Sequence, residues 1–244
     1  MPVNISLCIP TMNRYDSFLK NNLTKYLQMD LIDEIVICDE NGEDVKKIQR
    51  DFPNNNKLRL FVNERKLGAF FNKLRACKQA KNEWIALIDS DNFADIDYFK
   101  SAKEFIINKK PLKNSILAPS FAKPRFDYSI FSGMCFKKSN LKNVTNDKSI
   151  KDTILNTGNY VLNKYLIDNE KITDKDIPLT NNPCDVIFMN LLLFEQLDLQ
   201  MHVIPDMYYH HIVHDGSFYK TEASKCRREI HYIHQRLRYM EQSN

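Results

Sequence analysis

The sequence predicts an α/β fold, a mostly parallel central sheet flanked by helices, on three observations. Apolar runs of strand length alternate with helix-period stripes through the first hundred residues. Polar clusters follow the carboxyl ends of those runs, where ligands bind in parallel sheets. A chain of 244 residues that is 43% hydrophobic can bury one sizeable core, so residues 1–244 read as a single domain.

The elements follow in order. Ile5-Ser6-Leu7-Cys8-Ile9-Pro10 is an apolar strand stopped by proline, and Tyr15 to Met29 carries Phe18, Leu19, Leu23, Tyr26 and Leu27 at helical spacing. Glu34 to Asp39 is a second strand, followed by a turn at Asn41-Gly42, a helix from Val45 to Phe52 and a third strand from Leu58 to Val62. Gly68 to Lys81 sets Ala69, Phe70, Leu74, Cys77 and Ala80 on one helical stripe and leads into the strand Trp84 to Ile88.

The second half is irregular. Ser115 to Pro119 and Phe131 to Lys137 read as strands, and Tyr160 to Ile167 as a short helical piece between polar loops at Asn140 to Asp152 and Asp168 to Asn182. Asp185 to Leu197 is an apolar helix, Met201 to Pro205 a strand, and Glu222 to Met240 a basic helix with Ile230, Ile233, Leu237 and Met240 along one side. That last helix covers the core or pairs with a second subunit as a homodimer.

Thirty-five basic against 31 acidic residues give a formal charge of +4, short of the concentrated basicity of a nucleic-acid binder. The first residues enter a strand without a signal-like apolar segment, and no run is long enough to span a membrane. Six scattered cysteines lack any C-x-x-C pair. They read as reduced thiols, and the expected location is cytoplasmic.

Three polar groups follow strands and can face one crevice: Pro10-Thr11-Met12-Asn13-Arg14, Asp39, and Asp89-Ser90-Asp91. Asp89 and Asp91 lie two apart, so on an extended segment both carboxylates point the same way and can approach one Mn²⁺ or Mg²⁺. A bare D-x-D taken alone is more often the mark of a strand-end helix cap. Asp39 can accept a hydrogen bond from a uracil ring N–H and Arg14 can pair with phosphate; each also suits an ordinary turn or helix start. The loop Asn63 to Gly68 offers Arg65 and Lys66 to a nucleotide, with Gly68 permitting close backbone approach.

Three of the six histidines, His210, His211 and His214, cluster before Asp215-Gly216-Ser217. Neutral imidazole suits Mn²⁺.

Taken together, Ile9 to Arg14, Glu34 to Asp39, Asn63 with Gly68 and Asn72, and Trp84 to Asp91 stand in the order of one known family. The chain resembles family 2 glycosyltransferases of the GT-A, Rossmann-like fold. The resemblance implies a nucleotide-binding half over residues 1–100, an irregular acceptor-side half over 101–221, and a C-terminal helix over 222–244. It implies a nucleotide-sugar donor, foremost a UDP-sugar, with Pro10, Thr11, Asn13 and Arg14 near the nucleotide and Asp39 on the base. Asp91 is then the direct metal ligand, with Asp89 beside ribose or donor sugar.

His214-Asp215-Gly216-Ser217 looks like the His-x-x-Ser segment that supplies a further metal ligand, with His211 as the substitute. Asp185, opening a helix, matches the position of the general base and is also a simple helix cap. Gly133 falls in the segment that lies under the donor sugar, where a plain strand glycine is the other reading. The implied activity is metal-dependent inverting transfer to a hydroxyl of a glycan, glycolipid or glycoprotein. Transfer to modified DNA bases, or an inactive binding module, are the alternatives.

Overall fold

In the computed structural model, the described residues are 3–144, 153–173, 185–217, 220, 235–236 and 238–239. The strands are β1 (Ile5–Thr11), β2 (Glu34–Asp39), β3 (Leu58–Val62), β4 (Trp84–Leu87), β5 (Ser115–Lys123), β6 (Phe126–Asp127), β7 (Cys135–Phe136), β8 (Val161–Asn163) and β9 (Gln200–His210). The helices are α1 (Lys20–Tyr26), entered through a π-helical turn at Tyr15–Leu19, then α2 (Glu43–Asp51), α3 (Ala69–Lys78), α4 (Ile96–Lys109), α5 (Lys138–Val144), α6 (Lys164–Asp168) and α7 (Asp185–Gln196).

One sheet runs β3-β2-β1-β4-β8-β5-β9-β7, with β6 paired to β5. The four strands of the first half pair with one another in parallel, as the strand–helix alternation requires. β8 is inserted antiparallel between β4 and β5, so the second half is mixed. Every residue of β1 and β2 is buried, which explains why these strands read as continuous apolar runs rather than as alternating ones.

Glu34 pins the amino ends of this parallel set. It accepts from the Ser6 hydroxyl and the Lys81 amide, each at 2.6 Å, and pairs with Arg59 of β3 at 3.1 Å. Those donors hold its carboxyl below the usual range, against the opposing effect of burial.

Several expectations shift. The predicted helical piece at Tyr160 to Ile167 is a buried strand, β8, followed by the single turn α6, capped where the Asn163 side chain accepts from the Tyr165 amide at 3.0 Å. A short apolar run buried on both faces cannot be distinguished from a helix by periodicity. Phe131 to Lys137 is not one strand; a 3-10 turn at Ser129–Phe131 precedes the two residues of β7. β9 runs on past Pro205 to His210. Residues 145–152 and 174–184, and most of the expected helix from Glu222 to Met240, lie outside the described residues. Cys8, Cys38, Cys77 and Cys135 are unpaired, and no helix among the described residues is long and apolar enough to cross a membrane.

Candidate active site

The chain leaves β1 for β2 and β3 on one side, then crosses to β4 on the other. Loops after β1 and β4 therefore part and open a crevice at the carboxyl ends of the two strands, bordered by Thr11 and Asp89.

The β1 loop is shaped by Asp44, a residue the sequence reading passed over. It is buried at the start of α2 and accepts from the Thr11 hydroxyl at 2.5 Å, the Arg14 amide at 2.9 Å and the Tyr15 amide at 3.0 Å. Pro10 is buried within β1 beside Cys38. Asn13 takes a left-handed φ of 56° and accepts from Asn41. The loop thus presents the Arg14 guanidinium, which donates to the Gly216 carbonyl at 2.7 Å.

Asp39 is fully buried. Its carboxylate accepts from the Asn41 and Val45 amides, capping α2, and does not open onto the crevice. The next residue, Glu40, has one oxygen on the Leu67 amide at 2.7 Å, while its other oxygen is buried without a hydrogen-bond partner. Asn72 is likewise structural: its amide donates to the carbonyls of Thr11 and Cys38 and accepts from Asn63, tying the ends of β1 and β2 to α3. Gly68 precedes α3 at a φ of 83°. Arg65 and Lys66 are exposed on the loop before it.

Asp89 and Asp91 part company. The Asp89 amide donates to the Asn159 side chain at 2.7 Å, and its carboxylate is shared between Asn159 at 3.3 Å and the Lys73 ammonium at 2.9 Å. Ser90 between them is buried. The same ammonium lies 2.7 Å from Asp185, the first residue of α7. Burial opposes the charge on Lys73, but Asp185 and Asp89 more than offset it and raise its pKa. Burial raises that of Asp185, with Lys73 pulling the other way.

Asp91 instead meets His214, Oδ2 to Nε2 at 3.1 Å. Burial and the neighbouring Asp89 raise the Asp91 pKa against the pull of His214 and Arg14. The histidine is carried there by β9, whose His210 bridges to Phe93. Asn92 then accepts from the Ile212 amide at 3.0 Å. The His214 amide donates to the Ser217 hydroxyl, and its ring packs on Phe18 at 4.8 Å. His211 meets Phe126 edge-on and keeps a buried Nδ1 without a hydrogen-bond partner, with burial lowering its pKa against the pull of Asp89 and Asp91. His210 is half-exposed near Asp95.

The expected ligand trio contracts accordingly. Among the described residues no three His, Cys, Asp or Glu side chains gather as a metal cluster. A carboxylate with an imidazole still fits Mn²⁺, which takes its other ligands from water and substrate phosphate. Gly133 has a φ of 81°, and a side chain there would meet open space within 4 Å, so backbone conformation accounts for the glycine.

The parallel β3-β2-β1-β4 set followed by a mixed second half, with carboxylates and an imidazole at the topological switch point, is the architecture of the GT-A fold. The Glycosyl transferase family 2 profile matches residues 6–156, and the chain belongs to that family. An uncharacterised glycosyltransferase of Mycoplasma genitalium is 33% identical over 146 residues, 56% of this chain and 43% of that protein. The glucosyl-dolichyl phosphate glucuronosyltransferase of Haloferax volcanii is 24% identical over 102 residues, 41% of this chain and 33% of that protein. The chain thus spans less than half the length of these two relatives.

Among solved structures, S. aureus TarS in complex with UDP-GlcNAc superposes with a TM-score of 0.65 at 17% identity, over 88% of this chain and 60% of that one. The mannosyltransferase PcManGT of Pyrobaculum calidifontis, in complex with GDP-Man and Mn²⁺, gives 0.63 at 13%, over 90% and 59%. These likenesses show the shared GT-A fold.

Proposed function

We propose that this chain is a metal-dependent inverting glycosyltransferase, moving a sugar from a UDP-sugar to a hydroxyl of a glycan, glycolipid or glycoprotein. The observation that carries the reading is the Asp91–His214 pair at 3.1 Å, beside a buried Asp185 linked to the same crevice through Lys73.

Asp91 and His214 hold Mn²⁺ or Mg²⁺ in this reading, and the ion would neutralise charge on the departing diphosphate. Arg14 adds a cation at that end of the crevice. Glu40, whose second carboxylate oxygen is buried without a protein partner just beyond β2, receives the uracil ring N–H in place of Asp39, whose two oxygens are taken by the Asn41 and Val45 amides. Asp185 takes the proton of the acceptor hydroxyl as its oxygen bonds to the anomeric carbon. The bond from that carbon to the phosphate oxygen breaks, and its electron pair leaves with the nucleoside diphosphate. One displacement inverts the anomeric centre.

The test is nucleotide release from UDP-glucose, UDP-N-acetylglucosamine and GDP-mannose with Mn²⁺, with water or added glycans as acceptor. Release from a UDP-sugar is expected in the wild type. Asp185→Asn is expected to lower it by about 10²–10⁴-fold with UDP binding unchanged. Release from none of the donors contradicts the reading, and equal loss of binding and turnover removes Asp185 from the base role.

A further inference from the structure

Lys73 lies outside every motif that identified the family, yet its ammonium contacts both Asp89 and Asp185. It projects from the middle of α3, with the side chain only 10% exposed. The helix is itself anchored to the ends of β1 and β2 through Asn72, its immediate neighbour. An ammonium buried in this way between two carboxylates, from opposite halves of the chain, has few positions open to it. It also fixes the two carboxylates relative to each other.

Asp89 is already held from the other side by Asn159, whose carbonyl accepts from the Tyr98 hydroxyl at 2.7 Å. Among the described residues, Asp185 has no side-chain partner besides Lys73. Its aim therefore depends on Lys73 far more than that of Asp89 does.

We propose that Lys73 is a positioning residue for transfer: it ties the Asp185 carboxylate to the donor-side Asp89, setting the base at a fixed place against the sugar. The inference rests on the proposed role of Asp185 and adds the group that makes that role possible. Lysine serves here because a single compact ammonium can lie within ion-pair distance of two carboxylates at once, where the planar fork of arginine favours bidentate pairing with one.

The experiment combines Lys73→Met, which keeps the length of the stem and removes the charge, with Asp185→Asn and the double variant. UDP-N-acetylglucosamine and UDP-glucose with Mn²⁺ serve as donors, and UDP binding is measured by calorimetry. Lys73→Met is expected to lower kcat by about 10²-fold, the lower end of a general-base contribution, with the Kd for UDP moved less than threefold. Adding Lys73→Met to Asp185→Asn is expected to cost nothing further, since both act through one group. Lys73→Gln takes its place should Lys73→Met not fold, on the same thresholds.

A kcat within threefold of wild type, or a Kd that weakens in step with kcat, overturns the inference, as does a double variant that loses the product of the two single effects. If Asp185→Asn itself turns over normally, the base assignment falls first. A wild type inactive on every donor instead refutes the proposed activity, and the crystal structure of Lys73→Met then decides the link alone. An Asp185 side chain rotated away from Asp89 supports it, and an unmoved one overturns it.

Discussion

At the residue scale, two adjacent carboxylates at the end of β2 divide their work. Asp39 accepts backbone amides and caps α2, whereas Glu40 keeps an oxygen free of any partner. Glu40→Gln is therefore expected to weaken UDP binding about tenfold, the lower part of the range for a hydrogen bond to a charged group, at near-normal stability. Asp39→Asn is expected to lower the melting temperature instead. Calorimetry and thermal melts on the two variants check the split, and a reversal of the two effects contradicts it. The sequence marked Asp39 alone after the strand; that its oxygens are taken while one of Glu40's is not depends on where the amides of the following turn and of α2 fall. Asp91 and His214, which the structure brings into contact, were marked by motif and clustering. Lys73, Asn92 and Asn159 were not, since each matters only through a partner at least 70 residues distant or on another element.

At the element scale, buried carboxylates join neighbouring segments. Asp44 holds the β1 loop through two amides and a hydroxyl, so Asp44→Ala is expected to cost about 2 kcal/mol or more by orphaning the Arg14 and Tyr15 amides. Denaturant unfolding measures this, and a cost under about 0.5 kcal/mol, within the range of ordinary surface changes, would remove Asp44 as the organiser of the loop.

Glu34 gives a pH signature. Its folded pKa is depressed, so its contribution is present above the unfolded value of about 4.3 and is lost as pH falls through the lower folded value. Glu34→Gln should accordingly destabilise by about 2 kcal/mol at pH 7, with wild type and variant converging in acid. A gap independent of pH would contradict this. The strands of the first half were readable because continuous burial left unbroken apolar runs. β8 was misread because its three residues are an interior strand without a period of their own.

At the scale of the whole molecule, the site is the product of topology. The β3-β2-β1-β4 order opens the crevice, and β9, paired in parallel with β5, carries the chain back to it from the far side of the sheet. His214 thereby reaches Asp91 across 123 positions of sequence. The alternation of strands and helices foretold a parallel sheet with polar groups at its carboxyl ends, but not the strand order that opens the crevice. The return of the chain required knowing that β9 continues past Pro205, which a proline in mid-strand had argued against.

The central claim is that the Asp91–His214 pair binds a donor diphosphate through a metal ion. Calorimetric titration of UDP with and without Mn²⁺, on wild type and Asp91→Asn, tests it most directly. Mn²⁺ is expected to tighten UDP binding by at least about tenfold in the wild type, about 1.4 kcal/mol, and to add nothing in the variant. UDP binding that is indifferent to Mn²⁺, or an Asp91→Asn protein that keeps the full metal effect, would contradict it.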